Sequence, residues 1–139
     1  MQRITPYIDY ENVPAAIDWL SKAFGFREVL RWTDEDGRVG HAEITLGPDA
    51  NVMLGGPAGY RDPIGTTQYQ VLSCQVDDVD AHFERAKAAG ATIERVPTDE
   101  PYGIRTYRCL DPFGRAWWFY TAIRQVEPEE WGAVRAPDG

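Results

Sequence analysis

Two stretches of this chain carry the same landmarks in the same order. Val13 and Val79 lie 66 residues apart, as do Ile17 and Phe83; Gly25 and Gly90 are 65 apart, and Pro48 and Pro112 are 64 apart. An ordered set of matches with a small drift is what a duplicated module leaves when its loops differ in length. Such a chain must build two like units, each with its own helix and its own sheet.

Each copy reads β-α-β-β-β. In the first, residues 3–10 form a strand, with Pro6 restricting it to an edge or a strand start. Asn12 caps a helix that has Pro14 in its first turn and Val13, Ile17, Leu20 and Phe24 on its apolar side, and Gly25 ends it. Strands follow over 26–33, 39–46 and 51–54, separated by turns at Asp34-Glu35-Asp36-Gly37 and Gly47-Pro48-Asp49-Ala50. The second copy repeats this. A strand spans 68–76, and Asp78 caps a helix to about Ala89 with Val79, Phe83 and Ala86 inward. Strands then run over 92–96, 105–110 and 116–120. Residues 55–67 read as a Gly/Pro-rich linker, and Pro128 to Val134 as a short helix in a polar tail. The expected organisation is one domain over 1–139. It comprises module 1 at about 3–55, a linker at 56–67, module 2 at about 68–122 and a tail at 123–139.

The last strand sets the central question. Asp111-Pro112-Phe113-Gly114 is a turn, and Trp117-Trp118-Phe119-Tyr120 is an aromatic strand. Side chains alternate along a strand, so Trp117 and Phe119 share one face and Trp118 and Tyr120 the other. One pair belongs to a core under the helix. The other pair covers either a second core or a ligand.

A net charge of −8 and a pI near 4.7 argue against nucleic acid or an anionic membrane as partner, and are compatible with a cationic ligand. Cys74 and Cys109 sit in no metal or redox spacing and read as reduced strand residues. With no signal-peptide apolar core at the start and no apolar run of membrane-spanning length, the expected location is the cytoplasm.

The paired βαβββ modules, the Asp-Pro-x-Gly turn before the last strand and the Ile4-Thr5-Pro6-Tyr7 opening resemble the vicinal oxygen chelate superfamily. These are the glyoxalase and bleomycin-resistance-like proteins, and the opening is most like the PhnB-type branch. The resemblance implies an α+β fold of two tandem modules forming a curled mixed sheet around a cleft, in a homodimer. It also implies a divalent metal held by one side chain from the first and last strand of each module. Those four positions fall on Thr5, Met53, Val71 and Trp118, none of which is a good ligand for such an ion. The expectation is therefore no metal and no cofactor.

If those positions mark the cleft, alternation supplies its lining: Tyr7, Asp9, His41, Glu43, Met53, Tyr69, Ser73, Arg105, Tyr107, Trp118 and Tyr120. Aromatic walls with a few polar groups are the usual make-up of a small-molecule pocket. The leading expectation is a metal-free protein that binds an aromatic or hydrophobic ligand, a cationic one included, with antibiotic sequestration as one form of that role. The competing expectation is a lyase, isomerase or dioxygenase of the same superfamily using His41 and Glu43. These lie on one strand face about 7 Å apart and could act as base and partner, or hold a relocated metal with Asp9. His82, on a charged helix, reads as a surface residue. Asp77-Asp78-Val79-Asp80 lacks the glycine and distal glutamate of a calcium loop and reads as a helix cap.

Overall fold

A computed structural model describes residues 2–56 and 70–137. The linker and the expected ligand-lining residue Tyr69 fall largely or wholly on 57–69, outside the described residues. The contacts divide the described residues into two compact units, the first taking in those up to 56 together with 88–90 and the second 70–87 and those from 91 on.

In the first unit, β1 (Tyr7–Asp9) leads into α1 (Val13–Phe24), followed by β2 (Arg27–Thr33), β3 (Val39–Leu46) and β4 (Ala50–Gly55). The helix starts where Asn12 Oδ1 accepts the Ala15 N–H at 3.0 Å, and it stops at Gly25, whose φ of 86° is left-handed. Its inward stripe of Val13, Ala16, Ile17, Leu20, Ala23 and Phe24 is buried. Ala42, Ile44, Val52 and Leu54 are also buried, so alternation along β3 and β4 gives each strand one covered face. The sheet order is β1-β4-β3-β2, with β1 parallel to β4. β1 has only three residues. It begins just after Pro6, whose carbonyl accepts the Met53 N–H at 2.9 Å.

The second unit repeats the plan with β5 (Leu72–Gln75), α2 (Val79–Ala88), β6 (Thr92–Asp99), β7 (Ile104–Leu110) and β8 (Ala116–Ala122), in the order β5-β8-β7-β6. Asp78 Oδ1 caps α2 through the Ala81 N–H at 3.1 Å. β6 runs three residues past the expected end at Val96. It can do so because it is the edge strand, where Pro97 is tolerated within a stretch of shifted register between Arg95 and Thr98. The expected tail helix contracts to one 3-10 turn, Pro128–Trp131, stopped by Gly132 at φ 94°.

The β7–β8 turn is built around Asp111, which is 3% exposed. Its Oδ1 accepts the N–H groups of Phe113 and Arg115, both at 2.9 Å, and its Oδ2 accepts the Trp117 indole N–H at 3.1 Å. One carboxylate thus shapes the turn and anchors the first aromatic of the next strand. Trp117 and Phe119 are fully buried, on the face expected for them.

Candidate functional site

The register of the first sheet puts several expected site residues together. Tyr7 is opposite Met53, and Met53 is opposite Glu43. Asp9 is opposite Gly55, Gly55 opposite His41, and His41 opposite Trp32. Directly paired residues project to the same side of a sheet. Tyr7, Asp9, His41, Glu43 and Met53 therefore lie on one face, opposite the one carrying the buried Ala42, Ile44 and Leu54.

His41 is held at both ring nitrogens. The Tyr7 hydroxyl lies 2.8 Å from Nδ1, and Glu43 Oε2 lies 3.5 Å from Nε2. The tautomer with its proton on Nε2 satisfies both contacts, with Tyr7 O–H donating to Nδ1 and Nε2–H donating to Glu43. Gly55 makes the arrangement possible. A Cβ there would stand 2.5 Å from Tyr7 Cε1 and 2.7 Å from Asp9 Oδ1, so both side chains lean into the space glycine leaves. Around this polar chain the face is apolar and open: Tyr7 is 55% exposed, Leu30 44% and Trp32 59%. Leu30 and Trp32 were missed from the sequence. Extending the alternation rule to β2 would have found them, since Leu30 pairs with Glu43 and Trp32 with His41.

On the second sheet, Ser73 is opposite Trp118 and Gln75 opposite Tyr120. Ser73, Trp118 and Tyr120 thus lie on the face away from α2, as expected. The assignment of β7 is corrected. Cys109 pairs with Trp117 and Tyr107 with Phe119, so Tyr107 and Cys109 lie under the helix. Tyr107 is fully buried. Its hydroxyl lies 2.6 Å from His82 Nδ1, and its ring stacks on Phe119 and meets Phe83 edge-on. Burial pushes the Tyr107 phenol well above its ordinary pKa, and pushes the Cys74 and Cys109 thiols up to about 12. His82 is corrected with it: its ring is half-buried and packs 4.2 Å from Phe119, so it is no free surface residue. Arg105, on the same strand face as Tyr107, pairs with Asp80 of α2 at 3.1 Å and with Asp99 at 2.9 Å. It ties the helix to the hairpin and does not face the open side. The residues of β7 on the side away from α2 are Thr106, opposite Tyr120 and itself buried, and Arg108, opposite Trp118.

The donor sets do not fit a divalent metal. Thr5 and Val71 precede β1 and β5, Met53 lies opposite Tyr7, and Trp118 lies opposite Ser73, so the implied positions offer no carboxylate or imidazole. Among the described residues no three His, Cys, Asp or Glu side chains gather into a metal-binding group, so Asp9 does not complete one with His41 and Glu43. No helix of the described residues is long and apolar enough to cross a membrane.

Two like βαβββ units with one helix-covered face and one open face define a glyoxalase-type fold, and the sequence agrees. Residues 8–119 match the Glyoxalase/Bleomycin resistance protein/Dioxygenase superfamily, and the chain belongs to that family. It is 32% identical over 143 residues to an uncharacterized protein of Mycobacterium bovis, covering 98% of this chain and 93% of that one. Among solved structures it is similar to TioX from Micromonospora sp. ML1, with 32% identity and a TM-score of 0.70 over 88% of this chain and 100% of that one. The PhnB protein of Bacillus cereus shares the fold at 17% identity and a TM-score of 0.67, over 87% of this chain and 100% of that one.

Proposed function

We propose that this protein binds small molecules, without a metal, on the helix-free faces of its sheets, in the manner of the family's sequestering members. The observation that carries the reading is the first sheet. Tyr7, Leu30 and Trp32 stand exposed around His41 and Glu43, while the positions that would hold a metal carry Thr5, Met53, Val71 and Trp118. Exposed aromatics with polar handles suit a flat or hydrophobic ligand, the antibiotics that such proteins bind included, and Met53 can adapt to its shape. Two copies pair as a homodimer in this reading, which gel filtration at micromolar concentration checks. Titration with a panel of aromatic compounds should quench or shift tryptophan emission, and Trp32→Phe should remove most of the change. A panel that gives no response in the wild-type protein would sink the proposal.

A second reading has its own observation. The Tyr7–His41–Glu43 chain is the arrangement that general-base chemistry needs, with an imidazole fixed on one side by a carboxylate and aimed on the other at an O–H. In this reading Tyr7 is the group the substrate meets, and the protein is a lyase, isomerase or dioxygenase of the superfamily. Turnover of a bound compound that Tyr7→Phe and His41→Ala both abolish, with binding retained, would favour it.

A further inference from the structure

The open face of the second sheet holds a cation without a carboxylate. Arg108 lies over the Trp118 ring, its guanidinium carbon 3.8 Å from the ring centroid. Both side chains are half-buried. The Arg108 Nε is buried and has no hydrogen-bond partner among the described residues. The chain has 22 acidic residues and 14 basic ones. Arg31, Arg38, Arg95, Arg105 and Arg135 each meet a carboxylate. Arg95, which stands opposite Arg108 in the sheet, is taken by Glu100 at 2.6 Å. No described carboxylate or carbonyl does the same for Arg108. A half-buried guanidinium normally has its N–H groups satisfied, because leaving them unmade costs the full desolvation of the donors.

We infer that Arg108 receives an oxyanion, a carboxylate or a phosphate, carried by a small molecule bound on this face of the second sheet. The inference rests on the small-molecule reading given above. Trp118 holds the guanidinium plane by cation–π contact, which fixes the direction of its edge before a ligand arrives. The guanidinium carries paired N–H groups, the fork that two oxygens of one carboxylate or phosphate accept together. Ser73 and Tyr120 stand on the same face, with Ser73 directly across Trp118 from Arg108, and supply hydroxyls for the rest of such a ligand. The arrangement also changes what Trp118 does. Arg108 occupies one face of its ring, so on that face Trp118 is a platform for a protein cation and not for a ligand.

The test uses four probes that share one ring and differ in charge: naphthoate, naphthyl phosphate, naphthalenemethanol and naphthylmethylammonium. Calorimetry on the full chain should show one of the two anions binding about tenfold to a hundredfold more tightly than the alcohol, as charge-assisted hydrogen bonds do. Which anion wins separates a carboxylate from a phosphate. The preference should shrink with added salt, and the side-chain Nε–H resonance of Arg108 should shift with the preferred anion alone. Arg108→Gln should bring both anions down to the affinity of the alcohol. Arg108→Lys, which keeps the charge and loses the fork, should leave a reduced preference. Equal binding of all four probes, unaltered in both variants, would overturn the oxyanion assignment and leave small-molecule binding standing. Failure of every probe to bind would remove both.

Discussion

Replacing Tyr107 by phenylalanine asks which side of the second sheet β7 shows to the helix. The substitution keeps the ring, which is fully buried, stacked on Phe119 at 5.5 Å and edge-on to Phe83 at 5.4 Å. It removes only the hydroxyl that meets His82 Nδ1 at 2.6 Å. The bond is partly buried, since His82 is half-exposed, so losing it costs about 1 kcal/mol, toward the low end for an unmade hydrogen bond. Truncation to alanine also empties the space of an aromatic ring, for a total of about 3–5 kcal/mol. In urea unfolding, Tyr107→Phe should lower the midpoint with an unchanged m-value, and Tyr107→Ala should lower it much further. Probe affinities should be unchanged in Tyr107→Phe, since the hydroxyl points under α2 and not to the open face. If Tyr107→Phe keeps wild-type stability and loses ligand affinity, Tyr107 is a wall of the ligand site and the assignment of β7 is wrong.

Alkaline pH should unfold the protein early. Cys74 and Cys109 are raised by burial from an ordinary 9.0 to about 12, so the folded state holds protons that the unfolded state releases. Their contribution is fully present below about pH 9 and is lost as the pH rises toward 12, at up to about 1.4 kcal/mol per pH unit for each thiol. The Tyr107 phenol adds to the loss at the high end, and a Cys74→Ala, Cys109→Ala double variant should flatten the fall in chemical denaturation between pH 8 and pH 11. Gly55→Ala would put a methyl group 2.5 Å from Tyr7 Cε1. The Tyr7 ring, half exposed and free to move, should swing away from His41, so ligand affinity should drop while stability changes little. A Gly55→Ala protein with native affinity would show that the placement of Tyr7 does not matter to binding.

The modular fold was readable because local signals agreed with one another. Asn12 and Asp78 cap helices, Gly25 and Gly90 end them, and the repeat spacing assigns each strand a counterpart. The first sheet's open face was readable too, since an uninterrupted alternation along β3 and β4 separates His41 and Glu43 from Ala42 and Ile44. The face of β7 was misread although the sequence held the constraint. The Asp111 turn pairs Leu110 with Ala116, which forces Cys109 opposite Trp117 and Tyr107 opposite Phe119. Once Trp117 and Phe119 are placed under the helix, Tyr107 must join them. Residue type did not decide the matter, because a tyrosine suits a binding face as well as a core. His82 was beyond reach from sequence. Its polar surroundings on α2 gave no sign of the tyrosine hydroxyl waiting beneath it, and that hydroxyl could not be placed there until β7 was.

The small-molecule reading meets its most direct test in a calorimetric titration of the full chain with aromatic probes, run in metal-free buffer with a chelator present. Saturable, stoichiometric binding that chelation leaves unchanged and that Tyr7→Ala and Trp32→Ala each weaken by at least about tenfold, or about 1.4 kcal/mol, is the result predicted. Binding that appears only when a divalent metal is added back, or that both substitutions leave intact, would contradict it.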